Sequence, residues 1–226
     1  MNLSLSREDL CTFYSNQLNN FFPDNLPVTK AEVARIIDIS LDRLNYCFSH
    51  VAFRRYNNEQ GTVYNHLYAD HNLVFNWFLA NTAYKHTENQ SLSSKLYYLN
   101  KVMHAFDCMY DTLMPDIFLI FHGAGTMLGK AEYSNFFVSL QGCTVGSQKG
   151  AYPKLGKAVA LTANSSVIGE CQIGDRVSIS TRACVFSKNI PSDNSAYINW
   201  DTGKLEVKQS KECYAQQFFN VDLKKI

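Results

Sequence analysis

The feature that most constrains this chain is an aliphatic residue at every sixth position between residues 155 and 185. The repeating residues are Leu155, Leu161, Val167, Ile173, Ile179 and Val185. An α-helix repeats its apolar face every three or four residues and a strand every two, so neither produces a period of six. Short periods are typical of parallel β-solenoids, in which each coil buries an aliphatic residue beneath its equivalent in the next. The segment is therefore predicted to form a stack of short strands, with a sandwich of fortuitous spacing as the alternative.

The six-residue register breaks between Gly142 and Gly156. Gly146, Gly150 and Pro153 fall inside this break and suit no regular strand of the repeat. We therefore expect residues 146–152 to form a loop that leaves one coil.

Composition and charge exclude several broad classes of protein. Of the 226 residues, 46% are hydrophobic and 18% are charged, which indicates a soluble globular chain, and a net charge of +1 provides no general attraction to nucleic acid or membranes. The longest apolar run, 117–121, is too short to span a bilayer, and the first eight residues lack the features of a secretion signal. Seven scattered cysteines without a C-x-x-C pair predict buried free thiols in a reducing cytoplasm.

The first half of the chain has helical periodicity. Ser6 is a candidate N-cap for a first helix, and Thr29 with Glu32 forms the pattern of a capping box for a second. Apolar residues at helical spacing predict a third helix over 64–86 and a fourth over about 93–111.

The period changes at residues 111–116, where Pro115 ends the helical pattern. The predicted fold is α+β, with an α-helical domain (1–114), a β-helix (115–190) and an irregular C-terminal tail (191–226).

Three short stretches and the repeat resemble the hexapeptide-repeat acyltransferases, whose left-handed parallel β-helix has three six-residue sides per coil. The stretches are His-Gly-Ala-Gly-Thr (122–126), Gln-Gly-Cys-Thr-Val-Gly (141–146) and Tyr-Pro-Lys-Leu-Gly (152–156). The helical half before the repeat makes the chain similar to serine acetyltransferase and to its relatives that modify surface polysaccharides. The resemblance covers roughly 105–190 by motif and the rest by layout.

This resemblance implies transfer of an acetyl group from acetyl-CoA to a hydroxyl group, without a metal ion. It implies a homotrimer or a dimer of trimers, with acetyl-CoA in a groove between subunits. The family's contacts carried onto this chain give Ser147, Ala163 and Thr181, with Thr162 and Arg182 nearby and Arg182 suited to a phosphate group.

Such a reaction needs a base to take the proton of the attacking hydroxyl and donors to hold the oxyanion. Histidine suits the first task because its ordinary pKa is near neutrality. Five of the six histidines lie in the helical half, where packing, capping or exposure accounts for them. His122 instead begins the repeat and is followed by Gly-Ala-Gly, and the resemblance makes it the general base.

A histidine base needs an acceptor on its other ring nitrogen, and Asp107, Asp111 and Asp116 are the candidates. Asp107 precedes His122 by fifteen residues, close to one coil, and the family's partner aspartate has a matching separation. Asp116 is six residues away, which places it on a neighbouring side of the coil. We therefore favour Asp107, although it could instead end a helix.

The chain departs from serine acetyltransferases at the positions that hold the amino acid. Those enzymes have an aspartate before the histidine and an Arg-His pair before Pro-Lys, whereas this chain has Phe121, Ala151 and Tyr152. Aromatic residues suit the apolar face of a sugar ring better than the charges of an amino acid. The expected acceptor is a sugar hydroxyl of a surface polysaccharide or a nucleotide-sugar precursor. Serine O-acetylation and a non-catalytic scaffold are the alternatives.

Overall fold

The computed structural model describes all 226 residues, and its first half is built on four α-helices. The helices are α1 (Arg7–Phe21), α2 (Lys30–Ser49), α3 (Ala69–His86) and α4 (Gln90–His104). The Ser6 hydroxyl accepts the Asp9 main-chain N–H at 3.1 Å and so caps α1. Thr29 and Glu32 form the reciprocal hydrogen bonds of a capping box at the start of α2. Both predicted helix starts are confirmed.

The predicted bounds of the third and fourth helices are wrong. The third helix begins at Ala69 and not at residue 64, because Tyr64 ends a strand and a turn follows it. That strand is β3 (Gly61–Tyr64), which forms a small sheet with β1 (Asn2–Leu3) and β2 (Asn57–Asn58). Helix α4 ends at His104 because Ala105 adopts a left-handed φ of 50°, which stops the helical hydrogen bonding.

A parallel β-helix follows, and its ten short strands form three sides. The strands are β4 (Phe118–Ile120), β5 (Met127–Leu128), β6 (Phe137–Ser139), β7 (Thr144–Gly146), β8 (Lys154–Leu155), β9 (Ala160–Leu161), β10 (Ser166–Ile168), β11 (Gln172–Ile173), β12 (Ser178–Ile179) and β13 (Cys184–Phe186). Side 1 contains β4, β6, β9 and β12; side 2 contains β5, β7, β10 and β13; side 3 contains β8 and β11. All pairs between these strands are parallel, as a solenoid requires.

The six residues of the hexapeptide pattern form the interior of the β-helix. They pair one coil apart as Leu155 with Ile173, Leu161 with Ile179 and Val167 with Val185. Each is at most 4% exposed. The period of six is thus the spacing between adjacent sides of one coil, which confirms the predicted solenoid.

One coil is longer than the others because a loop leaves it. Val145 pairs with Val167, 22 residues later, whereas Val167 pairs with Val185, 18 residues later. The extra residues lie after β7, where Gln148 and Ala151 form a tight antiparallel bridge. The predicted loop over 146–152 is therefore present.

The C-terminal tail is more regular than predicted. Strand β14 (Asn194–Ile198) adds to side 1 beside β12 and forms a hairpin with β15 (Leu205–Gln209). A 3₁₀ helix (Tyr214–Phe218) then carries the chain back to the helical half, where Phe219 bridges Val51. These contacts join residues far apart in sequence, so local periodicity does not reveal them.

The two halves share one hydrophobic core. Phe118 at the start of the first coil contacts Trp77 and Phe78 of α3, with ring centroids 5.4 Å apart in both pairs. The helical domain therefore packs directly on the first coil of the β-helix, next to the turn that carries His122.

All seven cysteines are free. Five are buried, as predicted, whereas Cys184 is exposed and Cys213 is half-buried. None of the helices combines the length and the apolar character needed to cross a membrane.

Candidate active site

His122 lies where the chain turns from side 1 to side 2 of the first coil. Its backbone has a left-handed φ of 56°. The left-handed position that recurs from coil to coil at this turn is held by Gly125, Gly142, Asn164 and Arg182, each three residues before a paired interior residue of side 2. The conformation of His122 is therefore specific to the first turn. The His122 side chain is 65% exposed. Only small residues follow it, at positions 123–125, so the exposed imidazole is accessible to a substrate.

Main-chain hydrogen bonds stack the turns between side 1 and side 2 into a continuous edge. We call it the His122 edge, and it consists of residues 122–125, 140–142, 162–164 and 180–182. The Gly142 N–H donates to the Ala124 carbonyl at 3.0 Å, and the Arg182 N–H donates to the Ala163 carbonyl at 3.1 Å. The Thr162 and Thr181 hydroxyls lie 3.2 Å apart on the same edge. Ala163, Thr181 and Arg182, three of the predicted acetyl-CoA contacts, thus share one edge with His122.

Ser147 and Tyr152 lie on a different edge. Both belong to the loop between β7 and β8, where side 2 turns into side 3, and both are exposed. Within one chain, side 2 separates them from the His122 edge. The structure therefore does not bring the predicted residues Ser147 and Tyr152 together with His122 in a single subunit.

The carboxylate beside His122 belongs to Asp70, which sequence analysis did not select. Asp70 lies in the first turn of α3, and its side chain is 10% exposed. Its Oδ1 accepts the main-chain N–H of His122 at 3.1 Å, and its Oδ2 lies 3.7 Å from His122 Nδ1. Burial raises the pKa of the Asp70 carboxyl, while the His122 N–H and ring act in the opposite direction. No local pattern links two residues 52 positions apart, so the sequence offered no signal for this pair.

The predicted pair of His122 with Asp107 is not formed in the chain. The Asp107 carboxylate accepts hydrogen bonds from Tyr97 and Lys101 of α4, both at 2.7 Å. These two donors lower the pKa of the carboxyl, although partial burial acts in the opposite direction. The physical reason is that α4 ends before Asp107, which then pairs with Met127 as an extended residue of the first coil and faces the last turns of α4.

The other two aspartates considered from the sequence do not contact His122 either. Asp111 forms an ion pair with Lys130 at 3.0 Å, and the charge of Asp116 acts on Arg43. Asp70 is the one acidic residue within 4.0 Å of the His122 ring nitrogens.

Phe121 belongs to an aromatic cluster with Phe53 and Phe218. Its ring centroid lies 5.4 Å from that of Phe53, which follows α2, and 5.9 Å from that of Phe218 in the C-terminal 3₁₀ helix. The Phe121 and His122 rings are 4.2 Å apart. Three segments distant in sequence thus form an apolar wall next to the imidazole.

No group of three or more histidine, cysteine, aspartate or glutamate side chains is arranged to hold a metal ion.

Comparison with known proteins gives a clear result for structure and none for sequence. No protein-family model and no curated protein sequence matches the chain. Among solved structures, a serine acetyltransferase in complex with cysteine has a TM-score of 0.69 at 16% identity, covering 92% of this chain and 82% of that one. Serine acetyltransferase from Brucella abortus has a TM-score of 0.68 at 15% identity, covering 92% and 85%. Soybean serine acetyltransferase complexed with serine has a TM-score of 0.67 at 16% identity, covering 90% and 85%.

The four helices and the three-sided coil define a left-handed parallel β-helix fold, built on a six-residue repeat and preceded by a helical domain. The chain has the fold of the serine acetyltransferases along nearly its whole length. The resemblance predicted from the sequence is confirmed at the level of the fold.

Proposed function

We propose that this protein is an acetyl-CoA-dependent O-acetyltransferase in which His122 is the general base. The observation that carries the proposal is the placement of His122. Its ring is exposed on an edge of small residues, its Nδ1 is directed toward a buried carboxylate, and its Nε2 has no partner in the chain.

The arrangement suits acyl transfer to an alcohol. The Nε2 atom takes the proton of the acceptor hydroxyl as that oxygen attacks the thioester carbonyl of acetyl-CoA. When the carbon–sulfur bond breaks, the imidazolium returns the proton to the thiolate of CoA. A carboxylate near Nδ1 stabilises the imidazolium that exists between these two steps.

Acetyl-CoA is proposed to lie along the His122 edge. Ala163 and Thr181 leave room there for an extended chain to approach the backbone, and the exposed Arg182 can pair with a phosphate group. Ser147 contributes from the loop after β7. In two solved structures of this fold, serine acetyltransferases were crystallised with CoA.

We propose a homotrimer, or a dimer of trimers, with side 2 at the interface. Met127 and Phe186 are 50% and 53% exposed on the outer face of side 2, whereas side 3 carries the ion pair Lys154–Glu132. Exposed apolar residues favour burial against another subunit. Threefold association through side 2 would place Ser147 and Tyr152 of one subunit near the His122 edge of the next.

The proposed acceptor is a sugar hydroxyl of a surface polysaccharide or its nucleotide-sugar precursor. The wall of Phe53, Phe121 and Phe218 beside His122 is apolar and offers no charge to an amino acid. Such a wall suits the apolar face of a sugar ring. Tyr152 would add a hydroxyl as a hydrogen-bond partner.

Free L-serine is the second candidate acceptor, and one observation favours it. The serine acetyltransferases share this fold, and the soybean enzyme was crystallised with serine. L-serine therefore belongs in every acceptor assay, together with bacterial surface oligosaccharides and nucleotide sugars.

The test measures release of the free CoA thiol from acetyl-CoA by the full-length protein with each acceptor, followed by mass spectrometry of the products. An acetylated sugar supports the proposal, and efficient acetylation of L-serine alone refutes the sugar acceptor. His122→Ala should lower turnover about 10²–10⁴-fold. His86→Ala is the matched control, because His86 is exposed at the end of α3, away from the His122 edge. If calorimetry detects no binding of CoA, the remaining alternative is that the protein is a non-catalytic scaffold.

A further inference from the structure

A histidine that accepts a proton through Nε2 works only if its Nδ1–H is held by an acceptor, because the acceptor sets both the tautomer and the orientation of the ring. Asp107 does not provide that acceptor in this chain. Its two carboxylate oxygens are taken by the Tyr97 hydroxyl and the Lys101 ammonium, each at 2.7 Å.

Asp70 faces His122 with both of its carboxylate oxygens. Oδ1 accepts the His122 main-chain N–H at 3.1 Å, which fixes the turn, and Oδ2 lies 3.7 Å from Nδ1. The second distance is an ion-pair contact, longer than a hydrogen bond. Catalytic hydrogen bonds are often long before substrate binds.

The surroundings keep the Asp70 carboxylate available for His122. Asp70 is in the first turn of α3, where the helix dipole favours a negative charge, and no lysine or arginine forms an ion pair with it. The adjacent His71 is directed elsewhere, because its Nδ1 accepts the Asn65 N–H, and burial lowers its pKa to about 4. Burial raises the pKa of the nearby Tyr56 hydroxyl, so that this group stays neutral.

We propose that Asp70 of the helical domain, and not Asp107, is the residue that positions His122. It anchors the turn through the main-chain N–H and accepts the Nδ1–H, which directs Nε2 toward the acceptor hydroxyl. This inference rests on the proposed function, and it makes the helical domain a part of the active site. The base and its orienting carboxylate then come from different domains, and the packing of α3 on the first coil sets their distance.

The test compares Asp70→Asn with Asp107→Asn in the full-length protein. Asparagine keeps an oxygen that can accept the His122 N–H, so Asp70→Asn retains the turn while removing the charge. We expect kcat to fall about 10²-fold or more with the KM for acetyl-CoA nearly unchanged, since loss of the orienting carboxylate removes transition-state stabilisation. The acidic limb of kcat/KM should move to lower pH, because the carboxylate that favours a charged imidazole is gone. Asp70→Glu should recover part of kcat.

Asp107→Asn should leave the acidic limb unchanged and kcat within about threefold. A purely structural role for Asp70 would lower the stability of the variant without moving the pH limb. The inference is overturned if folded Asp70→Asn keeps the kcat and pH profile of the unmodified protein, or if Asp107→Asn alone moves the limb.

A second measurement does not depend on catalysis. Nuclear magnetic resonance of ¹³C-histidine-labelled protein follows the His122 ring signal, assigned with His122→Ala, as the pH changes. The signal should titrate at lower pH in Asp70→Asn than in the unmodified protein, and an unmoved titration would refute the pairing. If the protein transfers no acetyl group, the proposed function fails while this measurement still decides the pairing.

Discussion

Two histidines of the helical domain, one buried and one partly buried, should make the protein sensitive to mild acid. His71 is 1% exposed, and His104 is partly buried beside Asn72, with His104 Nε2 2.9 Å from Asn72 Oδ1. Burial lowers the pKa of each from 6.5 to about 4. No acidic side chain forms an ion pair with either ring to offset a positive charge.

The sign and size of the effect follow from proton linkage. Between about pH 4 and 6.5 the unfolded chain binds a proton at each position and the folded chain does not, so stability is lost as the pH falls through this range. From pH 7 to pH 5 the loss is about 2 kcal/mol for His71, and somewhat less for His104 because it is partly exposed. A combined loss of about 3 to 4 kcal/mol is a large part of a typical stability of about 5–15 kcal/mol. The raised pKa of Asp70 acts in the opposite direction and reduces the loss.

The assay is urea unfolding at pH 7 and pH 5, at one fixed protein concentration. The variants are His71→Asn, whose amide oxygen can replace Nδ1 as the acceptor for Asn65, and His104→Gln, whose amide can replace Nε2 as the donor to Asn72. The double variant should lose about 3 kcal/mol less than the unmodified protein between the two pH values. Because each variant is compared with itself at two pH values, any loss of stability that comes from altered packing cancels.

His86→Gln is the control, because it removes an exposed histidine at the end of α3. If the double variant loses as much stability toward pH 5 as the unmodified protein, the argument from buried neutral histidines is wrong. The result also bears on catalysis, since an acidic limb in a rate profile must be separated from unfolding in the same pH range.

Three further predictions concern packing, the acceptor wall and assembly. Gly174→Ala should lower the free energy of unfolding by about 2 kcal/mol in urea titrations, because the added Cβ would collide with the main-chain nitrogen of Ser192 in the next coil; Gly146→Ala, whose Cβ meets only ordinary contacts, should change it by less than about 0.5 kcal/mol. Phe121→Ala should raise the KM for the sugar acceptor about tenfold or more and leave the KM for acetyl-CoA unchanged, whereas equal changes in both would argue against an acceptor wall. Phe186→Glu should convert trimers into monomers in light scattering, because it places a charge on the apolar face of side 2; unchanged mass would exclude side 2 as the interface.

The repeat domain was predictable because its determinants are periodic and local. Each residue of the hexapeptide pattern meets its equivalent one coil later, so one spacing specifies both the side and the register. Helix starts were predictable for a similar reason, since Ser6 and the pair Thr29–Glu32 act within one turn. The end of α4 was not predictable in this way. The apolar spacing continues through Phe106, whereas the backbone has already left the helix at Ala105.

The active site likewise combines features that local sequence predicts with features that only tertiary packing sets. The sequence by itself determined the β-helix, the loop that leaves one coil and the position of His122 at the first turn, since each is encoded by residues within a few positions of one another. The tertiary structure alone decided which carboxylate meets His122 and what lies against Phe121. Asp70 reaches His122 through the packing of α3 on the first coil, and Phe218 reaches Phe121 through the return of the C-terminal tail. Such contacts depend on how whole elements pack. Contacts between distant segments produce no periodic pattern in the sequence, so the sequence alone does not reveal them.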